Sequence, residues 1–358
     1  MTTLSALGAE LLARHPPSAE LWLEVGGALV RVRSSSAELC ARLSRYFGEV
    51  VTEPRGAADV SVSLLEAPSP HFPLTLRDWP REAGKLGLKE RYADASDGRL
   101  VEKVKSGMRF VLTRHERIAV GPCSLNLSQV VNFVIAQCLA KRLDEGWVLC
   151  HAAAVAFDSA GLAIAASSGA GKSTLALHLI SAGASFVSND RSLISRRQGR
   201  CELLGVPKMP RVNPGTLLHN RDLAGQLAPE RRAELAALPP RQLWQLEDKH
   251  DVMVSEVFGP GRAVYRVPLR ALLVLSWAPD ASVPARFGPV ELAARPDLMG
   301  RIMKAAGVFQ VGGGDVPPAA APDPAAYFRA LRGVLVYEAT GRIDFDVGVG
   351  FCRRLLQS

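Results

Sequence analysis

Apolar residues recur along this chain with two periods, every second position and every third or fourth, and the switches between them divide it into elements. Residues 21–25 and 28–33 alternate on either side of Gly26 and Gly27, which predicts a two-stranded hairpin. A helix is expected next: Ser34, Ser35 or Ser36 can cap it, Leu39, Leu43, Tyr46 and Phe47 share one face, and Gly48 closes it. Residues 59–64 alternate strictly and predict a strand with one wet face. Residues 68–80, rich in proline and aromatics, read as an irregular connection, and residues 99–104 and 108–113 as a second hairpin around Ser106 and Gly107. Together these make a small α+β domain, placed at residues 1–120, with no chemical constellation of its own.

A larger α/β domain is expected over residues 121–358, entered by a helix at about 125–145 that turns Val130, Val131, Val134, Cys138 and Leu139 to a core. Residues 147–157 form one long apolar strand, 158–161 a turn, and 162–166 a short apolar strand suited to a buried parallel sheet. A helical pattern then starts at Lys172, carries Leu175, Leu177, His178 and Ile180, and ends at Gly183. Residues 185–190 are a strand with a polar end. Beyond it the proline-dense stretch 203–215, with Lys208 and Arg211, reads as an ordered loop over the site, and residues 227–240 as an exposed helix. The charged run 243–252 fits either a solvated face or a site loop. Residues 266–277 are a buried strand, 312–324 a flexible loop, and 324–331 and 334–338 a short helix and a strand. The polar tip 339–346 either approaches the base-binding end of a pocket or simply turns.

The junction at 166–172 carries the chemistry. Between an apolar strand and a helix lie Ser167, Ser168, Gly169, Ala170 and Gly171, followed by Lys172, Ser173 and Thr174. Glycines let successive N–H groups turn inward, and the start of a helix adds free N–H groups and a positive dipole end, so residues 168–174 are expected to cradle phosphates. Lys172 would reach the β- and γ-phosphates and Ser173 would offer its hydroxyl to Mg²⁺. The motif asks for glycine at position 166, where this chain has alanine, which is tolerable if that residue keeps strand-like dihedrals. Asp190, at the end of the neighbouring strand, is the candidate carboxylate for the metal or the acceptor hydroxyl.

Composition narrows the class. The chain has 358 residues, 48% hydrophobic and 22% charged, as in a globular protein with a substantial core. No apolar run approaches the ~18 residues of a membrane span, and the first residues lack a basic start and a long apolar stretch, so a cytoplasmic protein without a signal peptide is expected. Six scattered cysteines have neither the pairing nor the spacing of a zinc module or a disulfide framework. A net charge of +8 favours anionic partners, but the basic residues form no aromatic-studded tract that would indicate nucleic acid.

With His151, the loop, and the run Ser188, Asn189, Asp190 and Arg191 in place, the chain resembles the catalytic domain of HPr kinase/phosphorylase, a bacterial serine kinase whose P-loop core is related to that of phosphoenolpyruvate carboxykinase. In that family a histidine stands fifteen residues before the first loop glycine, as His151 stands before position 166. Two aspartates and often an arginine fall on Asn189, Asp190 and Arg191. The resemblance covers residues 151–194 and continues more thinly over 243–277, where Leu246, Glu247 and Lys249 stand in a similar Leu-Glu-x-Arg stretch. It implies a P-loop kinase fold, a place for His151 beside the transferred phosphoryl group, Asp190 in the Mg²⁺ shell, and a site role for Glu247. Asn189 departs from the family: an amide cannot take a proton at neutral pH, which leaves Asp190 or His151 as the remaining base. The chain looks closer to divergent HPr kinase-related proteins, whose acceptors vary.

The expected function is therefore ATP-dependent, Mg²⁺-requiring transfer of a phosphoryl group to a hydroxyl on a protein serine, a peptide or a small molecule, with GTP also compatible. The alternative is a nucleotide-gated binding module in which Asn189 marks lost catalysis, and a carboxykinase-like enzyme ranks third. The expected partner is this phosphoacceptor, and a homo-oligomer is compatible with the resemblance.

Overall fold

Gly26 and Gly27, both with positive φ (59° and 78°), make the tight turn that the alternating pattern around them calls for. A computed structural model of the chain, describing residues 3–80, 86–311 and 321–357, pairs strand Ala19–Val25 with Ala28–Ser34 across this turn. Ser36 caps helix Ala37–Phe47 by accepting a hydrogen bond from the Leu39 N–H at 3.2 Å, and Gly48 ends it. This helix crosses to strand Val60–Glu66, which runs parallel to Ala28–Ser34. The polar face of that strand is wet only in part: Ser61 is half-buried, whereas Ser63 is buried and its hydroxyl accepts from Arg33.

Arg117–Gly121 joins Val60–Glu66 in parallel, and an antiparallel series continues outward from it through Arg109–Thr113, Gly98–Lys103, Glu90–Ala95 and Arg77–Asp78, completing eight. The second expected hairpin is present, with Glu102 opposite Arg109. Helix Leu127–Asp144 buries Val130, Val131, Val134, Cys138 and Leu139 as its period predicts. It packs, however, with this first sheet, and the compact unit it completes is Met1–Glu145 together with Ala305–Ala321. The expected boundary is at residue 120, whereas the contacts divide the chain at Glu145/Gly146, the helix burying its apolar face on the strands before it. Phe309 in the returning segment packs on Phe110 and Phe133, with ring centroids 4.8 and 5.1 Å away, and Arg99 donates to the carbonyls of Val308 and Gln310. Most of the expected loop 312–324 lies outside the described residues.

The second unit, Gly146–Lys304 and Pro322–Ser358, has a mixed nine-stranded sheet. The expected strand 147–157 is two strands, Val148–Cys150 and Ala152–Phe157, broken at His151. The first pairs with Ser192–Arg197, the second with Ser185–Ser188 and Ala160–Ala166, so the chain changes partners at the histidine. Ala160–Ala166 follows a two-residue turn and lies antiparallel to Ala152–Phe157 on one side and parallel to Arg266–Leu275 on the other. Helix Lys172–Ser181 and the C-terminal helix Phe345–Gln357 pack on these strands and on each other. On the same strands Ala152, Ala154, Ala156, Ala163 and Ala165 join a separate core cluster with Leu298, Met299, Ile302 and Tyr327. Small alanines there let the chain after the sheet come close.

Candidate functional site

Strand Ala160–Ala166, residues 167–171 and helix Lys172–Ser181 form one strand–loop–helix unit. Ala166 is the last, fully buried residue of the strand, paired with Leu275 and outside the positive-φ region, so the missing glycine costs nothing at that position. The left-handed conformations fall instead on Gly169 (φ 82°) and Gly171 (φ 87°), where glycine is present. The N–H groups of Gly169, Gly171, Lys172 and Ser173 make no hydrogen bond among the described residues. Trp277 fixes the loop from outside, its indole N–H donating to the Ala170 carbonyl at 3.0 Å. Phe345 closes over Gly171 so tightly that a Cβ there would lie 3.0 Å from its ring.

Lys172 is 8% exposed. Its ammonium donates to the Ala166 carbonyl at 3.0 Å and stands 3.2 Å from His151 Nε2. His151 Nε2 in turn is 3.1 Å from Asp190 Oδ1, and Lys304 Nζ is 3.7 Å from Asp190 Oδ2. Ser173 donates to Asn189 Oδ1 at 2.6 Å. Four segments distant in sequence thus meet around one carboxylate.

The turn that presents Asp190 is held open by specific bonds. Strand Ser185–Ser188 ends one residue before Asn189, and Asp190 takes a left-handed φ of 66°, a conformation that costs a non-glycine residue roughly 1–2 kcal/mol. Ser188 stabilises it by donating its hydroxyl to the Arg191 carbonyl and accepting from the Val206 N–H at 3.1 Å. Burial alone would raise the Asp190 carboxyl, but the His151 hydrogen bond and the charges of Lys304, Lys208 and His151 outweigh it and hold the group well below the usual carboxylate range. Burial pushes the Lys172 ammonium down to about 8, opposed by Asp190 and reinforced by Lys304.

The other expected residues divide. Lys208 acts on Asp190 through its charge, whereas Arg211 lies in a two-residue strand paired with His250–Asp251 and faces Asp251 at 3.7 Å. Arg191 follows the turn, its buried Nε making no hydrogen bond among the described residues. Ser168 is exposed on the loop. Thr174 is buried and shares a 2.9 Å hydrogen bond with Thr216. Glu247 and Lys249 are exposed, and no hydrogen bond or ion pair among the described residues joins them to the site. Sequence reasoning missed Lys304 and Trp277, and gave Ser188 no role of its own. Lys304 and Trp277 stand in no motif; Ser188, next to Asn189, carried only the signal of a small hydroxyl residue before a polar turn.

Ser173, Asn189 and Asp190 offer hydroxyl, amide and carboxylate oxygens, the hard donors that suit Mg²⁺ when substrate phosphates complete its shell. Among the described residues no group of three or more His, Cys, Asp or Glu side chains is placed to hold a metal ion. No helix among them is long and apolar enough to cross a membrane.

No protein-family model matches the chain. No curated protein matches it either. Among solved structures it is similar to the Hpr(Ser) kinase/phosphatase from Coxiella burnetii, with 13% identity, a TM-score of 0.30, and coverage of 57% of this chain and 94% of that one.

Proposed function

We propose that the second unit binds a nucleoside triphosphate with Mg²⁺ and transfers its terminal phosphoryl group to a hydroxyl, on the P-loop kinase core that the motif resembles. The observation that carries this reading is the set of four N–H groups that make no hydrogen bond among the described residues, one of them on a buried lysine whose ammonium shares His151 with the Asp190 carboxylate. The amides and helix N-terminus suit phosphate oxygens, Lys172 neutralises charge that develops between β- and γ-phosphates, and Ser173 and Asp190 would hold the metal. A bound Mg²⁺ supplies charge neutralisation on the phosphates. His151 orients Asp190, and the pair supplies the remaining base for an incoming hydroxyl, the task Asn189 cannot perform. Phosphoryl transfer depends chiefly on positioning and positive charge, so one general base fewer lowers the rate without removing the chemistry.

The test is transfer of label from γ-labelled ATP to candidate protein and small-molecule acceptors. Label is expected on an acceptor with wild-type protein, and Lys172→Ala and Asp190→Asn should each reduce it by about 100-fold or more. Label passing only to water, at one rate whatever the acceptor, would refute the kinase reading. A second reading, a nucleotide-gated binding module, draws on Asp190 having one oxygen by His151 and the other by Lys304. Tight ATP binding with no product of any kind would select it.

A further inference from the structure

Neither the loop motif nor the family resemblance points to Lys304, yet its anchorage is as specific as that of His151. Met303 forms an antiparallel bridge to Cys150, flanked by the His151 N–H donating to the Ile302 carbonyl at 2.8 Å and the Lys304 N–H donating to the Leu149 carbonyl at 3.1 Å. The same short pairing therefore sets both residues on either side of Asp190. Tyr327, 3% exposed, secures it: its hydroxyl donates to the Leu149 carbonyl and accepts from the backbone N–H of Lys304 at 3.3 Å. The Lys304 side chain is 18% exposed, too enclosed for its stem to sweep through solvent.

We propose that Lys304 is a phosphate-site residue with two alternative partners, the Asp190 carboxylate when the site is empty and a phosphoryl oxygen of the bound nucleotide when Asp190 turns to a divalent cation. The proposal rests on the nucleotide reading above. An ammonium and a divalent cation compete for the same carboxylate, so a cation on Asp190 takes an anion away from Lys304, and a second anion nearby offsets that loss. A phosphoryl oxygen held by the loop is that second anion. Lys304 thereby weakens metal binding to the empty protein, strengthens nucleotide binding, and makes metal and nucleotide enter together.

The experiment measures two affinities on the full chain: Mn²⁺ without nucleotide, by water-proton relaxation, and ATP without metal, by calorimetry. Lys304→Gln is expected to bind Mn²⁺ about tenfold more tightly and ATP about tenfold more weakly than wild type, while Lys304→Arg keeps the ATP affinity. Tyr327→Phe, which leaves the charge and loosens its anchor, should move both constants in the same directions by less, and it carries the test if Lys304→Gln does not fold. Wild-type-like constants in Lys304→Gln, or equal ATP losses in the Gln and Arg variants with Mn²⁺ affinity unmoved, would overturn the role of Lys304 while leaving the nucleotide site intact. If wild-type protein and Lys172→Ala alike bind no ATP, the nucleotide reading itself fails and this inference falls with it.

Discussion

At the scale of single residues, the site is a set of charges held out of water. Lys172 was legible from its motif, and so was the tolerance of Ala166, because a strand end requires no glycine. Its protonation was not legible, since it depends on burial and on Lys304. With its ammonium pushed down to about 8 in the folded chain against 10.5 normally, the unfolded state binds more protons between those values. The charged lysine therefore costs stability in full below about 8, and that cost is relieved as pH rises from there to 10.5. A bound polyphosphate demands the charged form, so binding takes up a proton above pH 8 and weakens with rising pH. Calorimetry at about pH 7 and about pH 9 should give a constant weaker by up to about tenfold at the higher pH, with heats that follow the buffer's ionisation enthalpy. Equal constants would mean that no charged Lys172 sits on the phosphate.

Among the elements, the strand–loop–helix unit and the N-terminal hairpins could be read from periodicity because their signals are local. The break at His151 could not, since one polar residue within an apolar run does not by itself end a strand; the chain changes strand partners there. The C-terminal helix Phe345–Gln357 was hidden by Gly348 and Gly350, which argue against a helix when read alone. Packing explains the first of them: a Cβ at Gly348 would come within 3.1 Å of Leu175 on the loop helix. Gly205 is stricter. A Cβ there would lie 1.8 Å from the Val187 carbonyl oxygen, so Gly205→Ala must displace the strand that leads to Asn189 and Asp190. Urea unfolding should show a loss of about 3 kcal/mol or more, and the variant should bind nucleotide poorly even where it stays folded. A near-neutral Gly205→Ala would show that the strand end carrying Asp190 is not held by this close approach.

Over the whole molecule, each unit closes only with a segment from further along the chain: the first takes in Ala305–Ala321, the second Pro322–Ser358. No periodicity reports such a return, and the expected boundary at residue 120 differs from the division after Glu145. Phe309 makes it testable. Truncating it to alanine removes a ring packed on Phe110 and Phe133 and should destabilise the first unit by about 3–5 kcal/mol, seen as an earlier denaturation step. An unchanged profile would mean that the returning segment contributes little. The net charge of +8 says only that anions are welcome; the account turns on where one is held. The most direct test is a calorimetric titration of wild-type protein and of Lys172→Ala with ATP and Mg²⁺. The account predicts saturable binding at one site in the wild type, weakened by about 100-fold in the variant; equal binding by both proteins, or none by the wild type, would contradict it.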